Sequence, residues 1–205
     1  MNELDSNSQR SSRRAVDRGW AVLLAITWIG ACWLGMMVVH EAGHILAARL
    51  TGGTVTQVVL HPAAISRTDV FPNPSPGTVA WAGPLGGVLI PFVMWALFLW
   101  LAKDLAFLLR FFAGFCLLAN GTYLGFGVID GVGDAGDLLR AGSAAWQLVL
   151  FGVLTMPLGL WMWHGLGSRF GWGANARSVS PTIALGSAMT LGMLIIAMLW
   201  HAMHT

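Results

Sequence analysis

His40, Glu41 and His44 stand within five positions of one another in the run Val38-Val39-His40-Glu41-Ala42-Gly43-His44-Ile45-Leu46. On a helix, residues four apart share a face, so the two imidazoles point the same way and can bind one zinc ion. Glu41 follows the first histidine directly and is placed to take a proton from a metal-bound water. This H-E-x-x-H pattern is the minimal apparatus of a zinc hydrolase. A catalytic zinc needs three protein ligands and keeps a fourth position for water or substrate. With six histidines in the chain, the expected third ligand is a carboxylate. Its source is the segment Asp130-Gly131-Val132-Gly133-Asp134-Ala135-Gly136-Asp137, which holds three of the nine acidic residues. One turn of helix beginning near Asp134 would aim that carboxylate into a helix bundle.

The elements that must position these groups are membrane spans. Hydrophobic residues make up 56% of the 205, charged ones 10%, and the net charge is +2. This composition describes a polytopic membrane protein and excludes a nucleic-acid partner, because the basic residues form no reading surface. The stretch 19–39 carries no charged side chain and is long enough to cross a bilayer. An unpaired charge at the bilayer centre costs ~2.5–3.5 kcal/mol or more, so an accidental H-E-x-x-H in such a place carries little weight beside metal binding. Cys32 and Cys116 fall within spans and act as small apolar residues, with no disulfide framework or C-x-x-C site.

Residues 1–18, with four arginines among Ser and Asn, read as a flexible polar tail before a single membrane-embedded domain over 19–205. No removed signal peptide is expected, so the first span, 19–50, stays in the mature protein. It ends at Thr51-Gly52-Gly53. The β-branched run 54–60 and a weaker one at 65–70 predict a small hairpin, before prolines at 72, 74 and 76 break regular structure. Further spans are expected at 78–102, 105–129, 145–166 and 181–200. The fold class is therefore an all-α polytopic membrane protein of about five helices, with a β-hairpin between the first and second. Ala82-Gly83-Pro84-Leu85-Gly86-Gly87 is a small-residue run of the kind that lets helix backbones approach closely. In the third span Arg110 is expected to reach toward the headgroups, and Asn120 lies deeper and needs an interhelical partner. His61 and His164 read as loop and interface residues, and His201 and His204 as part of a solvated tail.

The H-E-x-x-H inside the first span, the Thr-Gly-Gly after it, the Ala-Gly-Pro-Leu-Gly-Gly opening of the second span and the later acidic motif resemble the site-2 protease family of intramembrane zinc metalloproteases. The similarity covers about residues 35–140. The family's third ligand is the Asp of L-D-G-G-x-[IL]-L, and Asp134-Ala135-Gly136-Asp137-Leu138-Leu139 is similar to it, with alanine for the first glycine and Gly133 for the usual apolar residue. Ile129-Asp130-Gly131 matches the L-D-G triplet without the paired leucines, so Asp134 is preferred to Asp130. The family often carries an Asn and a Pro shortly before its aspartate; here Asn120 stands farther away and that proline is missing. No insertion is large enough for a PDZ or CBS domain.

The resemblance implies a Zn2+-dependent endopeptidase of the cell membrane, with His40, His44 and Asp134 as ligands and Glu41 as proton carrier. Its partners would be the lipid bilayer and a transmembrane protein substrate, and the strand at 54–60 could hold the unwound substrate. The rival readings are an inactive zinc-binding scaffold of the same fold, for which Glu41 would be superfluous, and a transporter, whose ionisable residues would spread along a path. Lys and Arg positions favour a cytoplasmic N-terminus and so place the motif toward the outer face, whereas the resemblance implies a site open to the cytosol.

Overall fold

In the computed structural model the backbone is described for residues 2–204 and the side chains for residues 16–204. The elements are α1 (Asn2–Leu50), β1 (Val55–Val59), β2 (Arg67–Val70), α2 (Pro76–Leu101), α3 (Ala106–Asp130), α4 (Gly133–Arg140), α5 (Ala145–Trp163) and α6 (Pro181–His204), with a 3-10 turn at Gly167–Phe170 before α6. Among the described residues, five helices are long and apolar enough to cross a membrane: α1 from Val16, α2, α3, α5 and α6. Five spans with a β-hairpin between the first two is the expected architecture. The side chains of residues 1–15, most of the expected tail, lie outside the described residues.

Each boundary has a local cause. α1 closes where the amides of Thr51 and Gly53 reach back to the carbonyls of Ala47 and Ala48, with Gly52 at φ 79° making the turn. β1 and β2 pair antiparallel, with Val58 opposite Thr68, both shorter than their β-branched runs. α2 begins at Pro76, whose missing N–H costs nothing in a first turn.

Backbone proximity joins the helices. A Cβ added to Gly43 of α1 would meet the carbonyl of Ala82 in α2, and one added to Gly86 would lie 2.9 Å from the Gly43 Cα. α3 and α5 meet in the same way, since a Cβ on Gly159 would stand 2.8 Å from the Gly114 carbonyl oxygen, and one on Gly152 2.8 Å from that of Gly121. Lipid offers helices no hydrophobic reason to associate, so such close dispersion contact takes that role. α6 is fixed to α1 by the buried hydroxyls of Thr27 and Ser187, 2.6 Å apart.

One feature differs from the sequence reading. α6 continues through His201 to His204, and His201 Nε2 donates to the Val58 carbonyl at 2.8 Å, so helix and hairpin hold each other where a solvated tail was expected. Arg110 donates to the carbonyls of Trp161 (3.4 Å) and His164 (3.1 Å), satisfying orphan carbonyls at the end of α5.

Gly86→Ala is expected to cost ~1–3 kcal/mol through overpacking at the α1–α2 contact. Gly192→Ala, which meets nothing within 4 Å, is expected to leave stability unchanged or slightly raised. Thermal unfolding of the two variants in detergent checks this.

Candidate metal centre

The two histidines lie on one face of α1 as their spacing requires, and both are buried, at 8% and 6% exposure. Their Nε2 atoms are 3.1 Å apart. Asp134 Oδ2 stands 2.8 Å from His40 Nε2 and 3.4 Å from His44 Nε2. Asp134 reaches this point because Gly131 (φ 61°) ends α3 and Gly133 (φ 58°) re-aims the chain, so the first turn of α4 points at α1. Asp130, at the end of α3, is exposed. Asp137 is exposed as well and pairs with Arg140. Of the three aspartates, the fold brings Asp134 to the histidines.

A different element sets the tautomer of each imidazole. Asn120 Nδ2 donates to the Cys116 carbonyl at 2.9 Å, so its Oδ1 faces His40 Nδ1, 2.7 Å away. That oxygen can only accept, which puts the proton on Nδ1 and the lone pair on Nε2. His44 Nδ1 likewise donates to the Val79 carbonyl of α2 at 2.7 Å. The consequence is three lone-pair-bearing atoms, two nitrogens and a carboxylate oxygen, turned toward one another in a largely dry place. Without a cation, an imidazole would have to take a second proton to relieve the contact. Ligands ~2.0–2.1 Å from a tetrahedral metal lie ~3.3 Å from each other, close to the separations found, so the donor set fits a divalent ion held by His40, His44 and Asp134. Burial opposes ionisation of Asp134, but in the cation-free state a proton on the facing imidazole nitrogens bonds its oxygen and holds its carboxyl well below the usual carboxylate range.

Glu41 is 2% exposed, and its Oε2 accepts from the Thr68 hydroxyl of β2 at 2.7 Å. Tyr123, the chain's one tyrosine, sets its ring edge-on to His40 at 6.0 Å and accepts from the Asp134 amide at 3.2 Å. Glycines make room for these groups. A Cβ on Gly83 would occupy the His44 ring, one on Gly87 would lie 2.6 Å from Asn120 Nδ2, and one on Gly133 would collide with the Tyr123 hydroxyl. Asn120 was legible as a polar residue needing an interhelical partner. Thr68, Val79 and the contact of Tyr123 with Asp134 were not, since no local pattern marks them. His61, His164, His201 and His204 lie outside the cluster.

A protein-family model described as Peptidase M50B-like matches residues 19–124, half of the chain. The matched stretch holds His40, Glu41, His44 and Asn120 and stops short of Asp134, whose place at the site rests on geometry. No curated protein and no solved structure gives a match.

Asn120→Ala removes the acceptor for His40 Nδ1 and is expected to weaken metal affinity ~10–100-fold, the usual effect of losing such a support. Asp134→Ala is expected to weaken it further and Asp130→Ala to leave it unchanged, as read by titration against a chelating metal indicator. The reverse order for the two aspartates would assign the ligand to Asp130.

Proposed function

The chain belongs to the Peptidase M50B-like family, and on that premise we propose that it is a zinc-dependent intramembrane endopeptidase acting on peptide bonds in or near the transmembrane segments of membrane proteins. The observation that carries this reading is a buried glutamate in α1, with no ion-pair partner among the described residues, directly beside a histidine that converges with His44 and Asp134. A purely structural metal site has no use for such a group.

Zinc bound by His40, His44 and Asp134 would supply Lewis acidity, lowering the pKa of a water toward ~7 and polarising the scissile carbonyl. Glu41 would hold the proton given up by the attacking water and pass it to the leaving amine. The Thr68 hydroxyl occupies Oε2, which fixes the carboxylate and reserves Oε1 for the proton. A substrate helix has its amides bonded internally, so the cleaved stretch must unwind and find new partners. The β1–β2 hairpin is suited to receive it as an added strand, and Thr68 ties that hairpin to Glu41. Ile26, Leu97, Trp161 and Ile196, exposed on the outer faces of four spans, meet lipid in this reading.

In a cleavage assay on a model transmembrane substrate, Glu41→Gln is expected to lose ~10²–10⁴-fold in rate, the ordinary contribution of a general base, with zinc content unchanged. Thr68→Val, which removes one hydrogen bond to a charged group, is expected to lose ~10–100-fold, and Thr68→Ser to restore most of it. Cleavage by Glu41→Gln at the wild-type rate would refute the enzyme reading. Zinc binding without cleavage by the wild type would favour the scaffold.

A further inference from the structure

Hydrolysis of a peptide bond calls for a hydrogen-bond donor as well as a base. The oxygen of water bonds to the carbonyl carbon, the proton it sheds goes to the base, and the π pair of the carbonyl moves onto the carbonyl oxygen. When the C–N bond breaks, that pair closes the carbonyl again and the amine receives the proton. Between the two events a negative charge stands on the carbonyl oxygen, and a hydrogen bond aimed at it is stronger there than in the ground state.

Most donors around the metal centre are already engaged. The Thr68 hydroxyl donates to Glu41, the Asn120 amide nitrogen to the Cys116 carbonyl, His40 Nδ1 to Asn120 and His44 Nδ1 to the Val79 carbonyl. Tyr123 is the exception among the described residues. Its hydroxyl accepts from the Asp134 amide at 3.2 Å. That bond uses a lone pair and leaves the phenolic proton uncommitted.

Tyr123 also stands where a substrate must arrive. Glu41, the two histidines and Asn120 are buried and Asp134 and Thr68 half-buried, whereas Tyr123 is 41% exposed. Its ring lies edge-on to His40 at 6.0 Å, and its hydroxyl adjoins the residue whose carboxylate meets both imidazoles. Position 133 is kept small at this point, since a Cβ there would collide with the hydroxyl. Glu41 is held from the hairpin and Tyr123 from α3 and α4, so the base and the free donor belong to different walls of the centre.

We propose that Tyr123 is a catalytic residue, whose hydroxyl donates to the scissile carbonyl oxygen as that oxygen gains negative charge. The proposal rests on the protease reading above. It gives the two walls opposite tasks: Glu41 receives the proton of the attacking water, and Tyr123 steadies the charge that the attack creates.

Tyr123→Phe keeps the ring and loses the proton. In the zinc-loaded enzyme, kcat on a model transmembrane substrate is expected to fall ~10²–10³-fold, the usual effect of losing one such donor. KM and zinc affinity are expected to stay unchanged, because the exposed Asp134 amide can bond to water instead. A peptide with a phosphonamidate in place of the scissile amide carries the same tetrahedral negative charge, and its affinity is expected to fall by the same factor as kcat. A wild-type kcat in Tyr123→Phe, or an unchanged phosphonamidate affinity, overturns the proposal. So does a loss of rate that saturating zinc restores, which would assign the hydroxyl to anchoring Asp134 alone. Because the chain has one tyrosine, biosynthetic incorporation of fluorotyrosine labels position 123 only. Its fluorine NMR resonance is expected to shift when the phosphonamidate binds, and an unmoved resonance overturns the proposal as well. Equal cleavage by wild type and Tyr123→Phe sinks this proposal alone, whereas a wild type that neither cleaves nor binds the phosphonamidate sinks the protease reading with it.

Discussion

The structure depends on one electrostatic demand: His40, His44 and Asp134 turn lone pairs toward a common point where little water can separate them. Each partner around them reinforces the demand. Asn120 and the Val79 carbonyl hold protons on the outer nitrogens, so the inner ones are bare. Burial of the histidines removes the solvent that would otherwise relieve them. A group that accepts from three sides and carries positive charge satisfies the arrangement, and a divalent ion is the simplest such group. α1 supplies two donors, α4 the third, and α2 and α3 set their orientation, so the ligand geometry is shared among four helices.

Glu41 differs in what holds it. It is the most buried charged-type residue of the motif, yet it sits against a hydroxyl instead of a cation. One hydrogen bond from the Thr68 hydroxyl orients the carboxylate. The hydroxyl arrives from β2, so the hairpin holds Glu41 as well as flanking it.

Much of this was legible in the sequence where the signal is local. The i, i+4 histidines, the apolar spans, the β-branched runs and the glycine-rich opening of α2 each report a periodicity or a composition that one segment carries alone. Asp134 was legible by its position in an acidic motif, and the choice over Asp130 turned on four residues of spacing; in the fold that choice is made by two positive-φ glycines on either side of Val132. Thr68 and Val79 were hidden because their roles depend on which strand or helix lies beside α1, and a backbone carbonyl has no sequence signature at all. His201 was misread for the same reason. Polar residues near chain or span ends look solvated until a neighbouring element presents a carbonyl to them.

The glycines of α2 have a consequence for how binding and assembly are related. Gly83, Gly86 and Gly87 leave room for His44, Gly43 and Asn120 in turn, so the distance between the α1 and α2 backbones is also the dimension of the metal pocket. Any outward movement of α2 withdraws the Val79 carbonyl from His44 and loosens the contact at Asn120 in one displacement. Ion occupancy and helix association are then linked equilibria: whatever favours one must favour the other by the same free energy. In a solvent that gives apolar helices no incentive to remain together, an ion bound there would act as a fastener of the bundle.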